Sequence, residues 1–202
     1  DPDGLRVRSQ EALALVLRSA ARRKGTPEQA MAAVGALRRH EMLRIVLADL
    51  TGTIAPTQVG VALADLAAAT IEAALEVACG IVGRRTADGL RIDVLVVGMG
   101  SLGGRELSYS SDADVLVVHR PHEDVPDDVA QRQGVAVVQE LVRLMAATAP
   151  DPLLLDADLR PEGKNGPLSR SLGSYAAYYE RWALTWEFQA LLRARPVAGD
   201  PD

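Results

Sequence analysis

The chain has 202 residues, 48% hydrophobic and 24% charged, with a net charge of −5 and a single cysteine. A chain this long buries a core without a staple. Lone Cys79 excludes a disulfide framework and a cysteine-built zinc site, and the acidic balance argues against a nucleic-acid surface spread over the whole domain. The simplest compartment is a reducing cytoplasm. Aromatic residues are absent from the first 108 positions; Tyr109 stands alone, and Tyr175, Tyr178, Tyr179, Trp182, Trp186 and Phe188 crowd one stretch. The first half must therefore pack with Ala, Leu, Val and Ile, which suits helices.

Helix signals fill the first 85 residues. Leu13, Val16, Leu17, Ala20 and Ala21 form an apolar stripe after a Ser9 cap. Thr26-Pro27-Glu28-Gln29 is a capping box with Pro at the first helical position. It opens a segment carrying Met31, Val34, Leu37, Met42 and Ile45, which Thr51-Gly52-Thr53 breaks. Pro56 starts a longer helix that is expected to run to about Cys79 and stop before Gly83. Its acids Asp65, Glu72 and Glu76 recur at helical spacing, so it reads as amphipathic, and no membrane partner or signal peptide is expected. The start at Asp1 without Met, and the end in Gly199-Asp200-Pro201-Asp202, suggest a piece of a longer protein.

The character changes near residue 90. Ile92 to Val97 is a strand by its β-branched content. A glycine loop, Gly98-Met99-Gly100-Ser101-Leu102-Gly103-Gly104, follows it. Asp112 to Val118 is a second strand, Pro126 to Ala147 a helix, and Leu153 to Leu159 a third strand. The loop Arg160 to Pro167 leads to closing aromatic helices, with Trp182, Trp186 and Phe188 expected to anchor them against the sheet. The division expected is a helical lead-in, 1–88, and a catalytic domain, 89–202.

Gly98-x-Gly100-x-x-Gly103 after a strand matches a dinucleotide-binding fingerprint. Only Gly104 to Ser111 separate it from the next strand, too few for the crossover helix a Rossmann unit needs. The stronger pattern is a strand, Gly100-Ser101, ten residues, then Asp112-Ala113-Asp114 on a second strand, as in nucleotidyltransferases of the DNA polymerase β superfamily. Strand residues i and i+2 share a face, so Asp112 and Asp114 can hold hard divalent cations. Small glycines let backbone N–H groups approach phosphates. Leu153 to Leu159 supplies a third carboxylate for a two-metal site, Asp156 or Asp158, which spacing leaves on the same side. Arg160 is a candidate phosphate contact, and Lys164 reads as solvated. His119 and His122 read as surface residues, and His40-Glu41 as a helix-surface pair. Arg105 and Glu106 read as structural or phosphate-facing.

Three ordered blocks carry a closer resemblance. Gly98 to Asp114, Asp156 to Leu168 and Trp186 to Arg195 resemble the glutamine synthetase adenylyltransferase family, over roughly residue 30 to the end. The resemblance implies an α+β fold, a small mixed polymerase β-like sheet with flanking helices preceded by a helical segment. It implies transfer of AMP from ATP to a tyrosine of glutamine synthetase, controlling nitrogen assimilation. Family enzymes carry a second half that removes AMP by phosphorolysis, and the Trp186 block is similar to the adenylylating, carboxy-terminal half. The match selects Asp156, so Asp112, Asp114 and Asp156 are the expected catalytic and metal-holding residues for Mg²⁺ or Mn²⁺. Gly100, Ser101, Gly103, Gly104 and Arg160 are the expected nucleotide contacts. Glutamine synthetase and a nitrogen-signalling regulatory protein are the expected partners. Two positions depart from the family: Ser101 stands where a basic residue is common, and Asp158 where Arg is. The remaining readings are AMP removal and a non-enzymatic docking module.

Overall fold

A computed structural model describes residues 5–148 and 150–200; the expected ends at Asp1 and Asp202 lie outside them. Helix α1 (Gln10–Arg22) starts where Ser9 Oγ accepts the Ala12 N–H. It buries Leu13, Leu17 and Ala21, while Val16 of the expected stripe stays exposed. Helix α2 (Pro27–Leu50) is capped by the Thr26 hydroxyl on the Gln29 N–H.

Helix α3 (Pro56–Arg85) continues past its expected stop. Gly83 does not end it; a Cβ there would lie 3.4 Å from the Leu90 main-chain N, so the glycine admits the chain leading into the sheet. Nor is α3 amphipathic. It is buried on nearly every side, because α1, α2, helix α5 (Asp127–Ala146) and the sheet all pack on it. By length and composition it is apolar enough to cross a membrane, and 67% of its most apolar stretch is buried inside the fold. Two polar residues lie in that interior. Thr70 returns its hydroxyl to the Leu66 carbonyl, and Asp65 meets Arg105.

The sheet runs β3 (Leu155–Asp156), β2 (Ala113–Pro121), β1 (Ile92–Gly98), β5 (Arg195–Gly199), with β4 (Arg170–Ser171) also on β2. Strands β1 and β2 are antiparallel neighbours. That direction rules out the Rossmann reading, which requires parallel strands joined by a crossover. β3 and β4 pair β2 in parallel, so the sheet is mixed. β5, which the sequence pattern did not announce, pairs antiparallel with β1 and shifts register at Val96/Val97.

β3 is much shorter than the expected Leu153–Leu159. Asp156 Oδ1 accepts the Asp158 N–H at 2.7 Å, a side-chain-closed turn that leaves the strand path. A 3-10 turn at Gly163–Asn165 follows.

One sheet face carries Ile92, Val94, Val96, Ala113, Val115 and Val117, in one core with the helices. That core joins residues from both sides of the expected division at 88/89. The other face carries Leu116 and Val118 under helix α6 (Leu172–Arg181), with Tyr175 packed on Met99 and Leu116. Helix α7 (Thr185–Leu191) adds Ala190 and Leu191.

Two expectations need correction here. His119 is not a surface residue: it is 2% exposed, and its Nδ1 lies 2.8 Å from Ser169 Oγ. Strand alternation puts it with Val115 and Val117, facing α5, where Gly134 leaves room for the ring. Trp182, Trp186 and Phe188 are not core anchors. Trp182 is 71% exposed, the other two are about half exposed, and Tyr175, 7% exposed, does the packing.

Candidate active site

The connection between β1 and β2 opens with a single helical turn, α4 (Gly100–Gly103), and continues through a non-helical segment to Asp112. Gly103 and Gly104 donate their N–H groups to the Met99 and Gly100 carbonyls. Glycine is required at two of its positions. Gly100 has φ +49, and a Cβ there would meet Asp114 Oδ2. A Cβ on Gly103 would collide with the carbonyls of Arg193 and Gly98. The turn is thus pressed between an acidic side chain and the chain leading into β5. Among the described residues, no main-chain acceptor takes the N–H groups of Ser101 and Leu102.

The carboxylates stand at the start of β2. By alternation, Asp112 and Asp114 lie on the Leu116 face of the sheet, away from the helical core. In the parallel β2–β3 pair, Asp114 is opposite Asp156. Burial pushes the Asp114 carboxyl up, and the charges of Asp156 and Asp112 push it further. Among the described residues no cation pairs with any of the three. This is an acidic cluster without a counter-charge.

That donor set suits a divalent cation: hard oxygens, mutual repulsion, and a glycine turn alongside. The cluster is not drawn into a closed shell, since no three Asp, Glu, His or Cys among the described residues are close enough to enclose an ion. The fit therefore rests on chemistry and placement, and an ion would have to draw the carboxylates together.

Asp158 goes elsewhere. It pairs with Arg160 Nη1 at 3.4 Å and Lys164 Nζ at 3.3 Å. Spacing alone had left Asp156 and Asp158 on one side, and the turn between them separates their partners. Arg160 is buried, and its guanidinium donates to the carbonyls of Ala157, Lys164 and Gly166. In this arrangement it braces its own loop. His122 is exposed and lies 3.0 Å from Asp93, and exposed His40 neighbours Glu41.

Sequence reasoning missed three residues around the glycine turn. Asp65 of α3 receives Arg105 Nη2 at 2.7 and 2.6 Å. Arg195 donates to the carbonyls of Leu102 and Gly103, at 3.2 and 3.3 Å. Arg193 reaches Glu106 at 2.8 Å. The available signal was Asp65 itself, a carboxylate in an apolar helix. Tyr109, inside the same segment, donates its hydroxyl to Asp49 at 2.9 Å. Burial and then Asp49 push that hydroxyl up to about 12, so it stays protonated.

A family model described as glutamate-ammonia ligase adenylyltransferase matches residues 4–202. The chain belongs to this family. It is 44% identical to the bifunctional glutamine synthetase adenylyltransferase/adenylyl-removing enzyme of Streptomyces avermitilis, with all of the chain and 21% of that protein covered. The protein of the same description from Mycobacterium tuberculosis strain H37Rv is 46% identical over 95% of the chain and 19% of its own length. The chain spans about one fifth of the length of these curated relatives. The three blocks that carry the sequence resemblance fall on the glycine turn, on the β3 carboxylate with its loop, and on α7 with the arginines behind the turn.

Proposed function

We propose that this chain is a nucleotidyltransferase domain that transfers AMP from ATP to a tyrosine of glutamine synthetase. The observation that carries the reading is the acidic cluster without counter-charge, Asp112, Asp114 and Asp156, beside the Gly100–Gly104 turn. Asp112, Asp114 and Asp156 would hold Mg²⁺ or Mn²⁺, which would supply charge neutralisation to the phosphoryl transfer. The turn takes the β- and γ-phosphates through Ser101 and the N–H groups its own hydrogen bonds leave free, those of Gly103 and Gly104 being given to Met99 and Gly100. Arg160 keeps the Asp156 loop in place. Asp156 takes the proton of the tyrosine hydroxyl, whose ordinary pKa is roughly 10. The tyrosine oxygen bonds to the α-phosphorus, the bond to the β-phosphate breaks, and pyrophosphate leaves. Residues 89–202 carry the chemistry and 1–88 support it, in the cytoplasm, where a nitrogen-signalling protein would regulate it.

The test is AMP transfer from labelled ATP to purified glutamine synthetase, with Asp112→Asn and Asp114→Asn as comparisons. Full activity in both variants sinks the assignment. The relatives' names include adenylyl removal. Adenylylated glutamine synthetase incubated with phosphate distinguishes that direction, by release of ADP.

A further inference from the structure

Asp65 is 4% exposed, in the middle of the most apolar helix of the fold. A carboxylate in such a place is costly unless it is paired. Its partner, Arg105, has φ +58, the left-handed region that non-glycine residues seldom adopt. Gly100, at φ +49, opens the glycine turn and Arg105 closes it. A conformation of this kind persists only where the surroundings hold it. Both Asp65 oxygens grip Arg105 Nη2, and Gly60, one turn earlier on α3, lets the helix approach the Glu106 backbone.

Arg195 adds a second reason. It is partly buried against the carbonyl end of the same turn, where Arg105 repels it and Asp65 attracts it. Asp65 is therefore a counter-charge common to two guanidiniums that flank the turn. Without it, their repulsion would act on the segment joining Leu102 to Glu106.

We infer that Asp65, through Arg105, is a positioning residue for the triphosphate-holding turn, so that the helical lead-in sets the geometry of the nucleotide site. The inference rests on the reading that the Gly100–Gly104 turn holds the triphosphate. Asp65 acts at a distance, since an anion cannot itself hold a phosphate.

Equilibrium titration of the chain with Mn²⁺·ATP and, separately, with adenosine provides the test. The variants are Asp65→Asn, Arg105→Gln and Arg105→Lys, each checked for folding by circular dichroism. The Arg105 side chain is half exposed, so its variants keep the test decisive if Asp65→Asn does not fold. The expected result is ATP affinity lowered roughly tenfold in Asp65→Asn and Arg105→Gln, the scale of one charge-assisted pair. Arg105→Lys restores most of it, and adenosine affinity stays within about twofold throughout, because the turn contacts phosphate only. Unchanged ATP affinity in the folded variants overturns the inference, as does a parallel loss for ATP and adenosine. A wild-type chain that binds no Mn²⁺·ATP overturns the nucleotide reading beneath it.

Discussion

Asp114 and Asp156 stand opposite each other on two parallel strands, and the charge of Asp156 adds to burial in pushing the Asp114 carboxyl up. Like charges held together without a cation oppose folding. Replacing Asp114 with Asn removes one of them, so the metal-free variant should melt at or above the wild-type temperature. The order should reverse with Mg²⁺ and ATP present, because binding to the native state stabilises only the chain that retains the ligands. AMP transfer should fall on the order of a hundredfold, as when other charge-stabilising groups are removed from active sites. Thermal melts with and without Mg²⁺·ATP check the first two outcomes. A variant that melts lower without metal contradicts the repulsion argument.

Gly103 tests how tightly the turn is pressed. Gly103→Ala would drive a Cβ into the carbonyls of Arg193 and Gly98, both main-chain atoms that cannot swing away. A loss of about 1–3 kcal/mol is expected from such overpacking, with nucleotide binding lost as well. Gly52→Ala is the control. It also has positive φ, yet nothing lies within 4 Å, so only the left-handed penalty of about 1–2 kcal/mol applies. Denaturant midpoints measure both losses; ATP binding separates the two, and only the Gly103 variant should lose it.

His119 gives the fold a pH signature. Burial holds its pKa below the ordinary value, against a smaller opposing pull from Asp127. The unfolded chain then binds the proton first, so stability falls as pH drops below about 6.5, the unfolded value, toward the lower folded one. Above that window the contribution is complete. His119→Asn keeps a polar atom for Ser169 and removes the titration. Its denaturant midpoint should fall less between pH 7 and 5 than that of wild type; an equal fall in both contradicts the assignment.

The aromatic cluster separates into one buried ring and several exposed ones. Tyr175→Ala should cost about 3–5 kcal/mol, the range for deleting a buried aromatic, since it also loses the hydroxyl's bond to the Val117 carbonyl. Trp182→Ser should change stability by about 0.5 kcal/mol or less, as expected at an exposed position. Chemical denaturation of the two variants measures the contrast.

Much of this architecture was legible because it is local. Ser9 and Thr26 announce their helices, Ile92 to Val97 reads as a strand, and the glycine turn with Asp112 and Asp114 follows from spacing. What was hidden depends on partners distant in sequence. His119 looks like a loop-end residue until Gly134 and Ser169 close over it. Trp182 and Trp186 look like core residues, but Trp182 falls just past the end of α6 and Trp186 sits exposed in the first turn of α7. The β3 strand ends early because the Asp156 side chain captures the Asp158 N–H, an alternative to the ladder that alternation cannot foresee. Asp65 reads as one acid of an amphipathic helix, and only burial on every side of α3 shows that it must be paired.

The central claim is that Asp112, Asp114 and Asp156 hold divalent cations against a nucleotide seated on the glycine turn. Anomalous scattering from Mn²⁺ in crystals grown with ATP tests it most directly. The account predicts Mn²⁺ peaks between the three carboxylates, with the β- and γ-phosphates on the Gly100–Gly104 turn. Nucleotide bound elsewhere, or Mn²⁺ absent from the three carboxylates in an ATP-bound crystal, would contradict it.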